Sequence, residues 1–338
     1  MKNYLYSLIA VAALLFATAC SESEQASDDA QVARVTFTLS LNDGVDTRAI
    51  GDGTTAKALF YELRRGNQIV RKETIADAFA DGLTYQLTLE VIAGLKYEYV
   101  FWAQSPDAPY GTDDLSAIRM NYEDAPANDE HRDAFYATGS LVGGESFGHV
   151  VLKRPFAQLN VGAQDCVYEN AVLGDNLHID YSTVHLKKVP TVFHPFTGEA
   201  TEPKDIKFEV TMTPDKLTGD TLWVMVDSIP QAYRYFSMNY LLAHSDKLIF
   251  DSWLGLYGNP TVKMVDVSLP NVPLQRNYRT NILFACGKEP DDPDDPDPDD
   301  PDDPDPDPDD PTIVFGNVTF TIIIDPDFEE DYVGPPFN

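Results

Sequence analysis

Basic side chains are scarce in this sequence. Lys and Arg number 24 against 55 Asp and Glu in 338 residues, giving a formal net charge of −31. Phosphate binding needs clustered Lys and Arg, so this deficit excludes a nucleic-acid partner. It also excludes docking of the protein surface on anionic lipid. Cysteine is scarce too, with Cys20, Cys166 and Cys286 the full set, and no Cys-x-x-Cys or Cys/His zinc spacing occurs. The apolar run Tyr4–Ala19 has sixteen residues, short for a helix that spans a bilayer. Catalytic signatures are missing as well: there is no Gly-x-Ser-x-Gly elbow, P-loop, dinucleotide fingerprint or HExxH. The six histidines (His131, His149, His178, His185, His194 and His244) are scattered. His178 and His185, seven apart, would lie on opposite faces of one continuous strand. They read as structural histidines, with a metal pair or hydrolase base as the weaker alternative. The sequence thus reads as a non-enzyme with no cofactor and no metal.

What the sequence does contain is apolar β material. Hydrophobic residues make up 43% and aromatics 11%, which excludes a wholly disordered acidic chain. Short alternating runs recur between Gly, Pro, Asn and Asp punctuation. Val35–Leu41, Tyr85–Val91 and the more continuously apolar Tyr97–Ala103 are the clearest, and further runs continue to Asn281–Ala285. Asp113–Met120 is the best candidate for a short helix. Many short strands argue an all-β fold of sandwiches. Pro190, Pro195, Gly198 and Pro203 read as a connection, which divides the chain into a first sandwich over 33–189 and a second over 190–287. One continuous fold is the alternative. Cys166 and Cys286 read as small buried apolar side chains, or else as a single disulfide. Of the three tryptophans, Trp102 sits in an apolar run and reads as core, whereas Trp253, near Asp251 and Gly255, is the candidate ligand contact.

The N-terminus reads as an address. Lys2 precedes the apolar run, which closes on Ala17-Thr18-Ala19-Cys20. This resembles a bacterial lipobox, with Ala17 where Leu is usual; residues 1–19 would be the signal peptide and Cys20 the lipidated residue. The polar tether 20–32 begins Ser21-Glu22-Ser23-Glu24-Gln25, which resembles the surface-export signal of Bacteroidales lipoproteins.

The other end is stranger. Glu289–Pro311 consists of nine Pro, 13 Asp and one Glu, so its 14 acids account for nearly half of the net charge. Proline fixes φ and like charges repel, so the linker 288–311 reads as an extended spacer reaching up to ~70 Å. A calcium loop is not expected, because the run lacks a Gly turn and a fixed ligand cage. In the segment 312–338, Val318–Asp325 is an isolated β-former with Val318, Phe320, Ile322 and Ile324 on one face. A lone apolar strand must pair, either with an edge of its own domain or with a groove in another molecule. Its start, Val-Thr-Phe-Thr, repeats Val35-Thr36-Phe37-Thr38. Shared β propensity can produce such a match. Alternatively the two segments fill the same slot, and the second replaces the first by strand addition. Arg48, in the polar Gly-rich stretch Asp46–Gly53, is a candidate site for a trypsin-like protease, or an ordinary surface Arg.

These features occur in the order found in a known family. The lipobox, Thr47-Arg48-Ala49, Lys153–Val161 with its Arg-x-x-Ala strand, Tyr235–Leu242 with Met-Asn-Tyr, and Val272–Ile282 together resemble the fimbrillins of Bacteroidales. The resemblance implies two transthyretin-like, Greek-key β-sandwich domains in tandem. It also implies a lipid-anchored outer-membrane protein exposed at the cell surface, contacting the membrane through its anchor only. Its partners would be other fimbrial subunits or surface proteins. In polymerising members the first strand is lost by proteolysis and a donor strand replaces it. The Asp/Pro spacer departs from that pattern. The alternative is a non-polymerising surface lipoprotein that binds glycan or host protein.

Overall fold

The computed structural model describes residues 31–41, 52–122, 127–163, 167–170, 175–178, 181–211, 221–226, 229–243, 248–258, 262–286 and 318–325. Among them the fold is all-β, with a single 3-10 turn at Glu130–Arg132 and no α-helix. The first nine strands are β1 (Val32–Leu41), β2 (Ala58–Arg65), β3 (Gln68–Ile75), β4 (Thr84–Ile92), β5 (Lys96–Gln104), β6 (Tyr110–Gly111), β7 (Ile118–Met120), β8 (Ala134–Val142) and β9 (His149–Leu152). Two sheets, ordered β4-β1-β9 and β3-β2-β5-β8, enclose the first core. Val35, Phe37, Leu39 and Leu41 alternate into that core from β1, as the period-2 pattern requires. Phe37 is at its centre, with ring centroids 5.3 Å from Tyr99, 5.1 Å from Phe101 and 4.4 Å from Phe147. Phe37→Ala should therefore cost about 3–5 kcal/mol of stability, read from urea unfolding. A loss below about 1 kcal/mol would contradict this packing.

The remaining strands, most of them around a second core, are β10 (Phe156–Ala163), β11 (Val167–Asn170), β12 (Asp175–His178), β13 (Tyr181–His194), β14 (Glu199–Thr211), β15 (Thr221–Val226), β16 (Ile229–Leu242), β17 (Leu248–Gly258), β18 (Val262–Leu274), β19 (Arg279–Cys286) and β20 (Val318–Asp325). One sheet runs β15-β16-β10-β19-β20 and the other β18-β17-β13-β7-β6, with β14 paired to β13 and β11 paired to β12 apart. Buried side chains such as Leu159, Val161, Val184, Leu186, Met238 and Ile282 fill this core.

Two expectations change. Asp113–Met120 is not a helix. The Asp114 carboxylate accepts bonds from the Ser116 backbone N–H at 2.9 Å and its hydroxyl at 2.5 Å, a local turn that competes with helical pairing. The chain then extends as β7 and joins the second sheet through Ile118 and Arg119, paired with Phe193 and Val192. The proline-rich stretch 190–203 is a hairpin within the second unit. Pro190 and Pro203 are partners across β13 and β14, beside a register shift between Leu186 and Val189. Two facing prolines remove both N–H donors at one rung, which an irregular ladder tolerates. The Thr191 hydroxyl supplies a bond to the Glu202 carbonyl at 2.7 Å. Leu152 is the last side chain of the first core along the chain, but the second core also draws on earlier residues such as Val100, Trp102, Tyr110 and Ile118.

Candidate strand-addition site

The two like-sequence strands occupy different positions in their sheets. β1 is internal, antiparallel to β4 along Val32–Ser40 and parallel to β9 through Thr38–Leu41. Its inner face is buried from Val35 to Leu41. Its outer face is tied to β4 by Arg34 and Glu90 at 3.0 Å and by the Thr36 and Thr88 hydroxyls at 3.0 Å. Both outer contacts are exposed, so they contribute little, and the stability of β1 rests on its apolar side chains. Removing β1 would leave β4 and β9 without their shared neighbour and open an apolar trench between them.

β20 is an edge strand. It runs antiparallel to β19 from Cys286 opposite Val318 to Arg279 opposite Asp325. Its outward backbone edge carries no further strand among the described residues. Ile323 is half-buried against the second core, whereas Ile322 is 38% exposed. Ile322, on the face that the sequence marks, is therefore turned away from the core here. Three consecutive isoleucines, Ile322-Ile323-Ile324, make both faces apolar, and alternation alone could not choose between them. The docking strand β19 was legible as a strand but not as the partner, because pairing over a long connection leaves no local signal.

Cys20 and Arg48 lie outside the described residues. So do Cys166, His244 and the spacer 287–317. Trp253 lies in β17, opposite His185 of β13 and Ser268 of β18, so its strand is internal to the sheet. Trp102 is fully buried and donates to the Gln104 side chain at 2.6 Å. His149 meets the Ser40 hydroxyl at 2.8 Å, and His131 pairs with Asp129 at 3.0 Å.

The sequence motifs converge on the β15-β16-β10-β19-β20 sheet and its approach. Arg154 binds Asp133 bidentately, at 2.8 and 2.7 Å, with both side chains buried. Its guanidinium lies 4.5 Å from the centre of the Phe135 ring. Burial pushes the Asp133 carboxyl up despite the adjacent guanidinium. Asn160 of β10 donates to Asn281 of β19 at 2.9 Å, and Arg279 donates to Gln158 at 3.1 Å. Met238, Asn239 and Tyr240 are all buried in β16, and burial holds the Tyr240 phenol well above its ordinary range. These polar bonds fix β19 against β10, and so fix the edge on which β20 docks.

An all-β protein with two sandwich cores and a strand docked over a long connection is thus the class defined by fold and site. The chain belongs to a family of unknown function, DUF6562, whose model matches residues 27–334. No curated protein matches it. Among solved structures it is similar to the tip fimbrial protein Mfa3 of Porphyromonas gingivalis, at 11% identity over 87% of this chain and 99% of that one, with a TM-score of 0.45. It is also similar to the fimbrial anchor protein Mfa2 of the same organism, at 10% identity over 79% and 94%, TM-score 0.42. A fimbrial assembly protein from Parabacteroides distasonis gives 12% identity over 75% and 92%, TM-score 0.42.

Proposed function

We propose that the chain is a fimbrillin-like surface lipoprotein, a structural, tip or anchor subunit of fimbriae that assembles by β-strand addition and serves adhesion. One observation carries the reading: the disproportion between the spacer and the gap it spans. Cys286 and Val318 are partners in neighbouring strands, and such partners lie about 5 Å apart. A turn of two to five residues would join them, yet 31 residues intervene, most of them Asp and Pro. Self-pairing needs no such length; delivery of β20 to another subunit does. The receiving slot is that of β1, whose Val35, Phe37, Leu39 and Leu41 correspond in register to Val318, Phe320, Ile322 and Ile324. Cleavage after Arg48 would free β1. Acylation at Cys20 would hold the subunit at the outer membrane, facing outward, with other fimbrial subunits as partners. The test is to treat the purified chain with an Arg-specific protease and resolve the products on a gel without boiling. Ladders are expected after cleavage at Arg48 and should disappear when residues 312–338 are deleted. A chain that remains monomeric after complete cleavage at Arg48 overturns strand addition.

A further inference from the structure

Where the first unit meets the second, an open cleft of about 600 Å³ lies between the turn joining β2 to β3 and the turn joining β13 to β14. That size is typical of small-ligand sites, which favour junctions of this kind. Both walls are built. On one side, Arg64 is held by two bonds to the buried Glu62 carboxylate, at 3.0 and 2.6 Å. On the other, the backbone turn carrying Phe196 is closed by bonds from the Thr197 and Gly198 N–H groups to the His194 carbonyl, at 3.2 and 2.7 Å. Arg276 donates to the Gly198 carbonyl from below. The His194 ring is fixed between the Ser116 carbonyl at 3.1 Å and the Thr201 hydroxyl at 3.0 Å.

The chemistry of the lining narrows the ligand. Phe196 is 36% exposed, and one face of its ring is covered by the Arg64 guanidinium at 4.8 Å. The aromatic seat for a cation is therefore already filled by the protein's own cation, whose charge the buried Glu62 carboxylate offsets. An anionic ligand would meet Glu98 and Glu199, which line the same cleft. Among the described residues no side chain bonds to either of these carboxylates or to the Asn67 amide, which stands beside them. Two acceptors, an amide that both donates and accepts, and an apolar ring edge match a molecule with hydroxyl groups and C–H faces and no net charge.

We infer that this cleft binds an uncharged saccharide, with Phe196 against its C–H face and Glu98, Glu199 and Asn67 bonding its hydroxyl groups. Strand addition does not enter the argument, and the two are measured separately. The purified chain is titrated with lactose, mannose and N-acetylglucosamine, each to about 50 mM, the range in which weak millimolar sites fill. Saturation-transfer NMR then reads contact at the sugar C–H protons, with trilysine as a cationic probe under the same conditions. The expected result is saturable transfer to at least one sugar. Phe196→Ala and Glu98→Gln should each weaken it roughly tenfold. Glu98 is an exposed strand residue, so its variant retains the fold and keeps the test decisive if Phe196→Ala does not. Absence of transfer to all three sugars overturns the inference. So does transfer indifferent to both variants, or binding of trilysine without any sugar.

Discussion

Arg154→Met is expected to lower the unfolding free energy by about 3–5 kcal/mol, among the largest losses available to a single substitution here. Arg154 and Asp133 are both buried and share two bonds, at 2.8 and 2.7 Å. Removing the guanidinium strands an uncompensated carboxylate in a region that water does not reach. The two residues also stand where the chain crosses from one core to the other: Asp133 leads into β8, and Arg154 joins β9 to β10. The neighbouring turn anchors the same crossing, as Arg132 donates to the Tyr240 carbonyl at 2.8 Å. The pair itself is not a strong source of stability. Burial raises the Asp133 carboxyl in spite of Arg154, whereas burial lowers the Arg154 guanidinium but Asp133 more than offsets it. The two partners' shifts thus oppose each other, and the buried geometry leaves the pair close to neutral. Replacing both residues together, Asp133→Leu with Arg154→Met, should therefore cost clearly less than Arg154→Met alone. Urea unfolding of the wild type, both single variants and the double variant measures this coupling. A double variant that loses the sum of the two single losses would refute the coupled-pair account.

The same residues indicate how much could be read from the sequence alone. Where burial is one-sided, alternation sufficed: Val35, Phe37, Leu39 and Leu41 are spaced by two and all face the first core. The all-β class and most strands followed from that rule and from turn residues. The rule failed where a different local force prevailed. Apolar spacing over Asp113–Met120 suggested a helix, but the Asp114 carboxylate captured Ser116 first. Proline spacing suggested a linker at 190–203, but Pro190 and Pro203 face each other across a ladder already irregular at the neighbouring register shift, which tolerates their missing N–H donors. Buried polar groups were the least legible. Gln158 and Asn160 look like the outward residues of an amphipathic strand, yet both are fully buried and bonded to β19. Local sequence carries no record of what covers a face. The residues that line the cleft come from β2, β5, β13, β14, two hairpin turns and the segment ahead of β7, and only tertiary approach makes them neighbours.

Shortening the connection to β20 is expected to abolish assembly while leaving the monomer intact. With residues 287–317 replaced by a four-residue Asn-Gly-type turn, β20 can still pair with β19, because Cys286 and Val318 remain opposite each other. Loop closure over the shorter connection is also easier, by about 0.6 kcal/mol per halving of loop length, so the docked strand becomes harder to release. Reach falls from tens of ångströms to a few, and the strand can no longer enter a β1 slot on another molecule. The shortened chain, cleaved after Arg48, should give no ladder, whereas the wild type is expected to give one. Its stability to urea should equal or exceed that of the wild type, which separates loss of reach from loss of fold. A spacer of equal length in Gly and Ser tests the role of charge. It restores reach only in part, because a flexible chain of n residues spans about 5–6 Å × √n and not ~3.1 Å per residue. Ladders should then form more slowly but still form. If the short-turn chain polymerises as fully as the wild type, the acidic spacer has no part in delivering the strand, and self-pairing with β19 is the whole purpose of β20.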